Sequence, residues 1–402
     1  MSSLRIAKRV RRIKPSPSAA AADRAGELRR QGRNIVSLVV GEPDFDTPAH
    51  IRQAAARAME TGATRYTPMA GTLELRQAIA AKLLRENGLT YSTEEIIATN
   101  GAKSAIFSAL AATIEPGDEV IIPAPYWVSY PDMVLACEGT PLTVACGEEQ
   151  GFKLSPAQLE DAVTERTRWL ILNSPGNPTG AGYSGAEYRA LADVLARHPQ
   201  VAVMMDDIYE HIRFVGEDAP HLLEVAPELR ERTRAINGVS KTYAMTGWRI
   251  GWIAGPRELV TAIETLLSQS AGNCCSISQA AAAAALNGDQ AFIARNVATY
   301  KGRRDEALAR INSIPGLSCR APDGAFYLYV NCAGLIGKKT PRGQRLNVDG
   351  DVVLYFLESA GVALVAGAAY GLSPYFRLSI ATSLETLTEG IERMASAVSK
   401  LH

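Results

Sequence analysis

"RWLILNSPGNPTGAGYSGAEYRALADVLARHPQVAVMMD", residues 168–206, decides the fold class. It opens and closes on short apolar runs, "RWLILN" and "VAVMMD", in which apolar and polar residues do not alternate. Runs of that kind suit strands buried on both faces, as in a parallel sheet covered by helices. Between them "GAEYRALADVLARH" has apolar residues at helical spacing, and a crossover helix is what two parallel strands require. Upstream, "EIIATN", "AKSAIFSALAATI" and "EVIIP" repeat the rhythm, and the helical "IRQAAARAME" and "LELRQAIAAKLL" precede them. The alternation predicts an α/β fold with a doubly wound, mostly parallel central sheet. Past residue 310 the pattern changes. "GLSCRAPDGAFYLYVN", "GVALVAGAAYG" and "YFRLSIATS" predict strands with a helix between them and one at the end. That is a smaller α+β unit, completed by the N-terminal segment. The division expected is a large domain over 45–310 and a small one made of 1–44 and 311–402. "GLIGKKTPRGQRLNVDGD", 334–351, reads as a polar surface loop.

The bulk numbers exclude several classes. The 402 residues are 47% hydrophobic and 21% charged, as in ordinary globular proteins. Lys plus Arg and Asp plus Glu are 42 each, so no net field favours nucleic acid or an anionic membrane. No apolar run approaches the roughly 18 residues a bilayer span needs. Six cysteines include no CxxC pair and read as reduced core thiols in a cytoplasmic protein. The basic start, with Arg5, Lys8, Arg9, Arg11, Arg12 and Lys14, has no apolar stretch after it and reads as a solvated arm rather than a secretory signal.

In open parallel α/β sheets, ligands sit beyond the carboxyl ends of the strands. The unusual residues collect at such ends. In "NGVSKTYAMTGWRIGW", 237–252, Lys241 stands among small and aromatic residues. Desolvation there favours the neutral amine, as a Schiff-base lysine requires. "TNGAKSA", 99–105, is a small-residue turn opening a helix, a ready anion site that lacks both GxGxxG and the Walker pattern. It therefore suits a monophosphate. Asn177 in "NSPGNPTG" sits in a rigid turn where its amide can meet a ring oxygen, although Asn-Pro turns are common. Asp206 ends the apolar run of "VMMDDIYEH", where a buried carboxylate needs a partner, for example a protonated pyridine nitrogen, or else caps a helix. Tyr209 follows three residues later. Trp127 in "PYWVSYPD" can stack on a flat ring or simply pack in the core. Arg377, in the apolar "FRLSIATS", needs an anion: a substrate carboxylate or a structural ion pair. Together these are partners for the aldehyde, ring nitrogen, phenolic oxygen and phosphate of pyridoxal phosphate (PLP), and for the α-carboxylate of an amino acid. No metal site is expected.

With these motifs the chain resembles the fold-type I, PLP-dependent aminotransferases of the aspartate class, bacterial Iβ subgroup. The resemblance runs through "GEPDFDTP", "RYTPMAGTLELRQAI", "PYWVSYPDMV", "NPTG", "DDIYEH", "SKTYAMTGWRIGW", "GAFYLYVNCAGLIG" and "YFRLSIATS". It implies Lys241 as Schiff-base lysine and proton shuttle and Asp206 on the pyridinium nitrogen. Asn177 and Tyr209 fall on the ring oxygen, and Trp127 on the ring face. Gly101, Ala102, Lys103, Ser240 and Arg249 fall around the phosphate. Arg377 falls on the α-carboxylate with the Gly41 backbone nearby. It also implies a homodimer with shared sites, Tyr66 entering the neighbouring subunit. Lys103 matches a lysine that recognises the distal carboxylate of aspartate or glutamate, and Lys14 one linked to prephenate use. The expected activity is amino transfer between acidic L-amino acids and 2-oxoglutarate or oxaloacetate, with prephenate a further candidate. A broad-range or aromatic aminotransferase and a C–S lyase are the alternatives. Gly238 stands where a serine is frequent, Gly176 where an asparagine is common, and Ala366 where proline or histidine is usual.

Overall fold

A computed structural model describes residues 5–216 and 220–402. In chain order its strands are β1 (Val36–Ser37), β2 (Ile96–Thr99), β3 (Glu119–Ala124), β4 (Thr140–Ala145), β5 (Thr167–Asn173), β6 (Ala202–Asp206), β7 (Thr233–Gly238), β8 (Gly251–Ala254), β9 (Tyr327–Asn331), β10 (Val362–Ala363), β11 (Val365–Ala366) and β12 (Tyr375–Ser379). Seven form one sheet in the order β2-β8-β7-β6-β5-β3-β4. Only β8 runs against the others, antiparallel to both β2 and β7.

Side chains alternate between the two faces residue by residue, as the two-residue period of a strand dictates. Ile121, Leu170, Leu172, Val203 and Met205 enter one core with the helices Leu73–Asn87 and Gly185–Leu195. Val120, Ile122, Ile171, Met204 and Ile236 enter the opposite core with Ala102–Thr113 and Arg257–Ser268. Both faces are covered, which is why the strands read as unbroken apolar runs.

A second, three-stranded sheet has the order β11-β12-β9 and is antiparallel. Phe326, Leu328, Val330, Phe376 and Leu378 pack there with the C-terminal helix Leu384–Val398. The helix Ala291–Asn312 begins at Phe292 in the first core and ends at Ile311 in this one, running unbroken past residue 310. The N-terminal helix Pro17–Arg30 buries Ala25 and Leu28 against Tyr329, Tyr370 and Tyr375. β1 pairs with β10, joining the N-terminal segment to the C-terminal one.

Several local expectations change. Of "GLSCRAPDGAFYLYVN" only β9 is a strand, with one isolated bridge from Ser318 to Asn331. "GVALVAGAAYG" gives two strands of two residues and then a 3-10 turn, because the first strand pairs with β1 and the second with β12, in different sheets. The 334–351 stretch is not wholly a surface loop: Leu335 and Leu346 are fully buried, and a bridge joins Lys339 to Arg345. The six cysteines are all free, but Cys275 is exposed rather than in the core. Among the described residues no helix is long and apolar enough to cross a membrane.

Candidate active site

The parallel strands end at one edge of the large sheet, and a cavity of about 670 Å³ opens there. Each strand end delivers its residue: Ala102 and Lys103 after β2, Trp127 after β3, Asn177 after β5, Asp206 and Tyr209 at β6, Ser240 and Lys241 after β7 and Arg249 before β8. Gly41 and Arg377 close it from the smaller sheet's side.

Lys241 Nζ donates to the Gly41 carbonyl at 2.6 Å. Burial, and then the positive charge of Arg377, bring its pKa down to about 8. Asp206 is 4% exposed and has no cation within ion-pair distance among the described residues. Its Oδ2 accepts from the Tyr130 hydroxyl at 2.6 Å, and burial pushes its pKa up to about 6. Tyr209, also buried, shares a 3.0 Å hydroxyl contact with Tyr327. Trp127 meets Tyr130 edge-on, and Lys103 Nζ sits 4.8 Å from the Trp127 ring centre. Burial and the neighbouring Arg249 lower the pKa of Lys103.

The turn before the helix Ala102–Thr113 has a built shape. Gly101 has φ +90°, and a Cβ there would lie 2.5 Å from the Arg249 guanidinium. Glycine is therefore required for the arginine to cross the helix start. Arg249 is itself left-handed, at φ 56°, and is held by the carbonyls of Thr246 at 2.7 Å and Asn100 at 3.1 Å. The helix has no side-chain cap, so its first amides and this guanidinium face the same point. The serine expected near Lys241 is excluded at Gly238, where a Cβ would approach the Ile250 carbonyl to 2.8 Å.

Arg377 is 3% exposed and has no carboxylate partner among the described residues, so the structural ion pair weighed from sequence is absent. Its Nη1 donates to Asn177 Oδ1 at 3.1 Å and its Nη2 to the Val39 carbonyl at 2.7 Å, while Nε is buried without a partner. The Asn177 amide nitrogen stays free to donate.

Two expected residues are not brought in. Tyr66 is 97% exposed and does not line the cavity of the single chain. Lys14 is exposed; its backbone N–H bonds Asp132 at 3.1 Å, and only Ser16 and later residues of that arm reach the cavity. Sequence reading missed Tyr130, Tyr327, Tyr370 and Ser18. Tyr130 had a visible signal, falling three residues after Trp127 at a helix start.

Residues 33–394 match the model of the family "Aminotransferase class I and II". The chain belongs to this family. It is 51% identical to an aspartate aminotransferase of Rhizobium meliloti over 378 residues, covering 94% of this chain and 92% of that one. It is also 51% identical to an aspartate/prephenate aminotransferase of Cereibacter sphaeroides, over 95% of this chain and 96% of the other. The crystal structure of the Rhizobium meliloti aspartate aminotransferase superposes with TM-score 0.97 at 49% identity, covering 100% of both chains. A Thermus thermophilus aspartate aminotransferase solved with maleate gives 0.91 at 40% identity, covering 98% and 100%.

Aminotransferases of this family use PLP. The donor set of this aminotransferase fits that group on its own evidence. A buried carboxylate without a cation suits a protonated ring nitrogen, uncapped amides beside a guanidinium suit a phosphate, and a desolvated amine suits an aldehyde.

Proposed function

We propose that the chain moves the amino group of aspartate or glutamate to and from 2-oxo acids. The observation that carries this reading is a pair of cations, Arg377 and Lys103, that wall one cavity and have no acidic partner among the described residues. A dicarboxylate supplies one carboxylate to each. Prephenate, which relatives' names include, also carries an oxo-acid carboxylate and a second carboxylate, and we include it as an acceptor.

In this reading Lys241 holds the cofactor aldehyde, Asp206 its ring nitrogen, and Asn177 and Tyr209 its phenolic oxygen. Trp127 covers the ring. The Gly101 turn with Ala102, Lys103, Ser240 and Arg249 receives the phosphate. When bound, the cofactor supplies an electron sink for negative charge at the substrate α-carbon. Lys241, with its pKa at about 8, is partly neutral near pH 7, so Nζ can take and return a proton. The Arg377 fork orients the α-carboxylate, and its bond to Asn177 ties that orientation to the cofactor's oxygen.

We further read the chain as a cytoplasmic homodimer with large and small domains divided as expected from sequence. Six free cysteines are in keeping with a reducing compartment, and a tyrosine 97% exposed at Tyr66 with one reaching into a second copy. Sedimentation at micromolar concentration should give twice the chain mass.

The substrate test is Lys103→Ala. A charge-assisted hydrogen bond contributes about 1.5–3 kcal/mol, or roughly 10- to 150-fold. kcat/KM should fall by that factor for aspartate and glutamate and change little for alanine and phenylalanine. An equal fall for every donor would place Lys103 in the phosphate cradle only and replace the acidic reading with a broad-range or aromatic one.

A further inference from the structure

Arg377 poses a physical problem: a guanidinium 3% exposed, with two carbonyl-type acceptors but no counter-charge among the described residues. Two rings stand where an acid would. Its Cζ lies 4.3 Å from the Tyr327 ring centre and 5.3 Å from that of Tyr370. A ring face stabilises a desolvated cation without neutralising it, and arginine is the cation best suited to stack. The charge is therefore stabilised in the core yet still available to an incoming anion.

The two rings are not equivalent. Tyr327 lines the cavity and shares its hydroxyl with Tyr209. Tyr370 does not line the cavity and is fully buried; it meets the cavity wall through Arg377 and through Ser18. Its backbone is fixed from outside the small sheet: the Tyr370 carbonyl accepts from the Tyr126 N–H at 3.0 Å, one residue before Trp127. The next residue, Gly371, has φ 82°, and a Cβ there would lie 2.5 Å from the Tyr126 ring. The Tyr370 hydroxyl also comes within 3.4 Å of Ser18 Oγ on the N-terminal helix. The ring is thus set by the loop that carries Trp127, and it in turn sets the arginine.

We propose that Tyr370 is a positioning residue for α-carboxylate recognition, its ring holding the Arg377 fork open toward the cavity. The inference rests on the reading of Arg377 as the partner of the α-carboxylate. It is tested on the holoenzyme with Tyr370→Phe, Tyr370→Leu and Arg377→Leu, and with Tyr370→Met carrying the test if the leucine variant does not fold. Steady-state KM and kcat are measured for aspartate and 2-oxoglutarate, and single-turnover rates for aspartate and β-alanine, which is aspartate without its α-carboxylate. The visible absorbance of bound PLP reports an intact cofactor site.

Losing the ring should raise KM for both substrates about 3- to 30-fold, the span of a desolvated cation–ring contact, with kcat within about threefold. Tyr370→Phe should restore KM, and the β-alanine rate should stay within about twofold of the parent's. An equal loss with β-alanine, a fall in kcat at constant KM, or loss of PLP absorbance would overturn the proposal and leave Tyr370 as a prop for the Trp127 loop. If Arg377→Leu leaves KM for aspartate unchanged, the carboxylate reading itself fails. If Arg377→Leu raises KM and Tyr370→Leu does not, only the Tyr370 inference fails.

Discussion

Asp206 and Glu210 are buried carboxylates four residues apart on one segment, and they are treated in opposite ways. Glu210 pairs with Lys82, itself 1% exposed, and accepts from Asn87 at 3.0 Å and Asn237 at 2.6 Å. Lys82 also donates to Asn87 Oδ1 at 2.7 Å. His211, next in sequence, spans Glu86 at 2.9 Å and Thr242 at 3.2 Å. Burial pushes the Glu210 pKa up, but Lys82 and His211 outweigh it and hold it below its ordinary value. Asp206 has one tyrosine hydroxyl and a long backbone contact, and its pKa rises to about 6. Burial does not separate scaffold from site, since both groups are buried. Between these two, the difference is a buried charge left without its opposite, a deficit that a ligand in the cavity can fill. Arg377 and Lys241 fall on the deficient side with Asp206, and Lys82 on the satisfied side.

The comparison makes its largest demand at Lys241. Lys241→Ala should remove a positioned proton transfer, a loss of about 10²–10⁴-fold, followed by stopped-flow absorbance of the half-reaction. Rates near the parent's would take Lys241 out of the deficient set. On the satisfied side, Lys82→Met strands Glu210 as an unpaired buried charge. It should lower stability by about 3–5 kcal/mol in guanidinium unfolding while the surviving holoenzyme keeps its kcat. The Glu210 pKa is lowered by folding, so the stability it contributes is present above its ordinary value of 4.5 and fades as pH falls below that. A large kcat loss with little change in stability would show the cluster to be part of the site.

Asp206→Asn should do the reverse in the cofactor-free protein. Folding raises the Asp206 pKa from 3.8 to about 6, so no cost is felt below the lower value, and the cost grows between the two and is complete above the upper one. Asparagine should stabilise the apoprotein by about 3 kcal/mol above pH 6, at 1.36 kcal/mol per unit, with the difference gone near pH 4. The holoenzyme should lose turnover. Apoprotein melting curves of equal midpoint across that range would mean Asp206 already has a partner.

The deficient side was largely legible in the sequence because each member breaks a local pattern. Lys241, Asp206 and Arg377 are charges set in apolar runs, and Asn177 lies in a turn of fixed shape. Tyr327 and Tyr370 break no pattern: an aromatic among apolar residues looks like core until a fold brings a cation against it. The parallel strands were legible from their apolar runs, but β8 was not. "GWIA" begins inside the lysine-loop motif, and its antiparallel course depends on pairing with β2, which is remote in sequence, as well as with β7. Tyr66 carries the same difficulty one level higher: it is 97% exposed in the single chain, and its place in the site belongs to the homodimer proposed above.

The smallest expected effect concerns Lys14, and it separates a cation outside the cavity from one on its wall. Sequence resemblance ties this lysine to prephenate, whereas the structure leaves its side chain exposed and outside the cavity wall, on an arm pinned by its backbone to Asp132. An exposed charge acts through water, where pair energies are about 0–1 kcal/mol and fade with salt. Lys14→Ala should therefore cost less than about fivefold in kcat/KM, by the same factor for aspartate and prephenate, and the loss should vanish near 0.5 M salt. The Lys103→Ala penalty should persist in larger part, because Lys103 lines the cavity 4.8 Å from the Trp127 ring, where a bound carboxylate would meet it directly. A prephenate-selective loss in Lys14→Ala that survives high salt would mean that the arm folds inward when that substrate binds, and that Lys14 then belongs with the cations of the cavity wall.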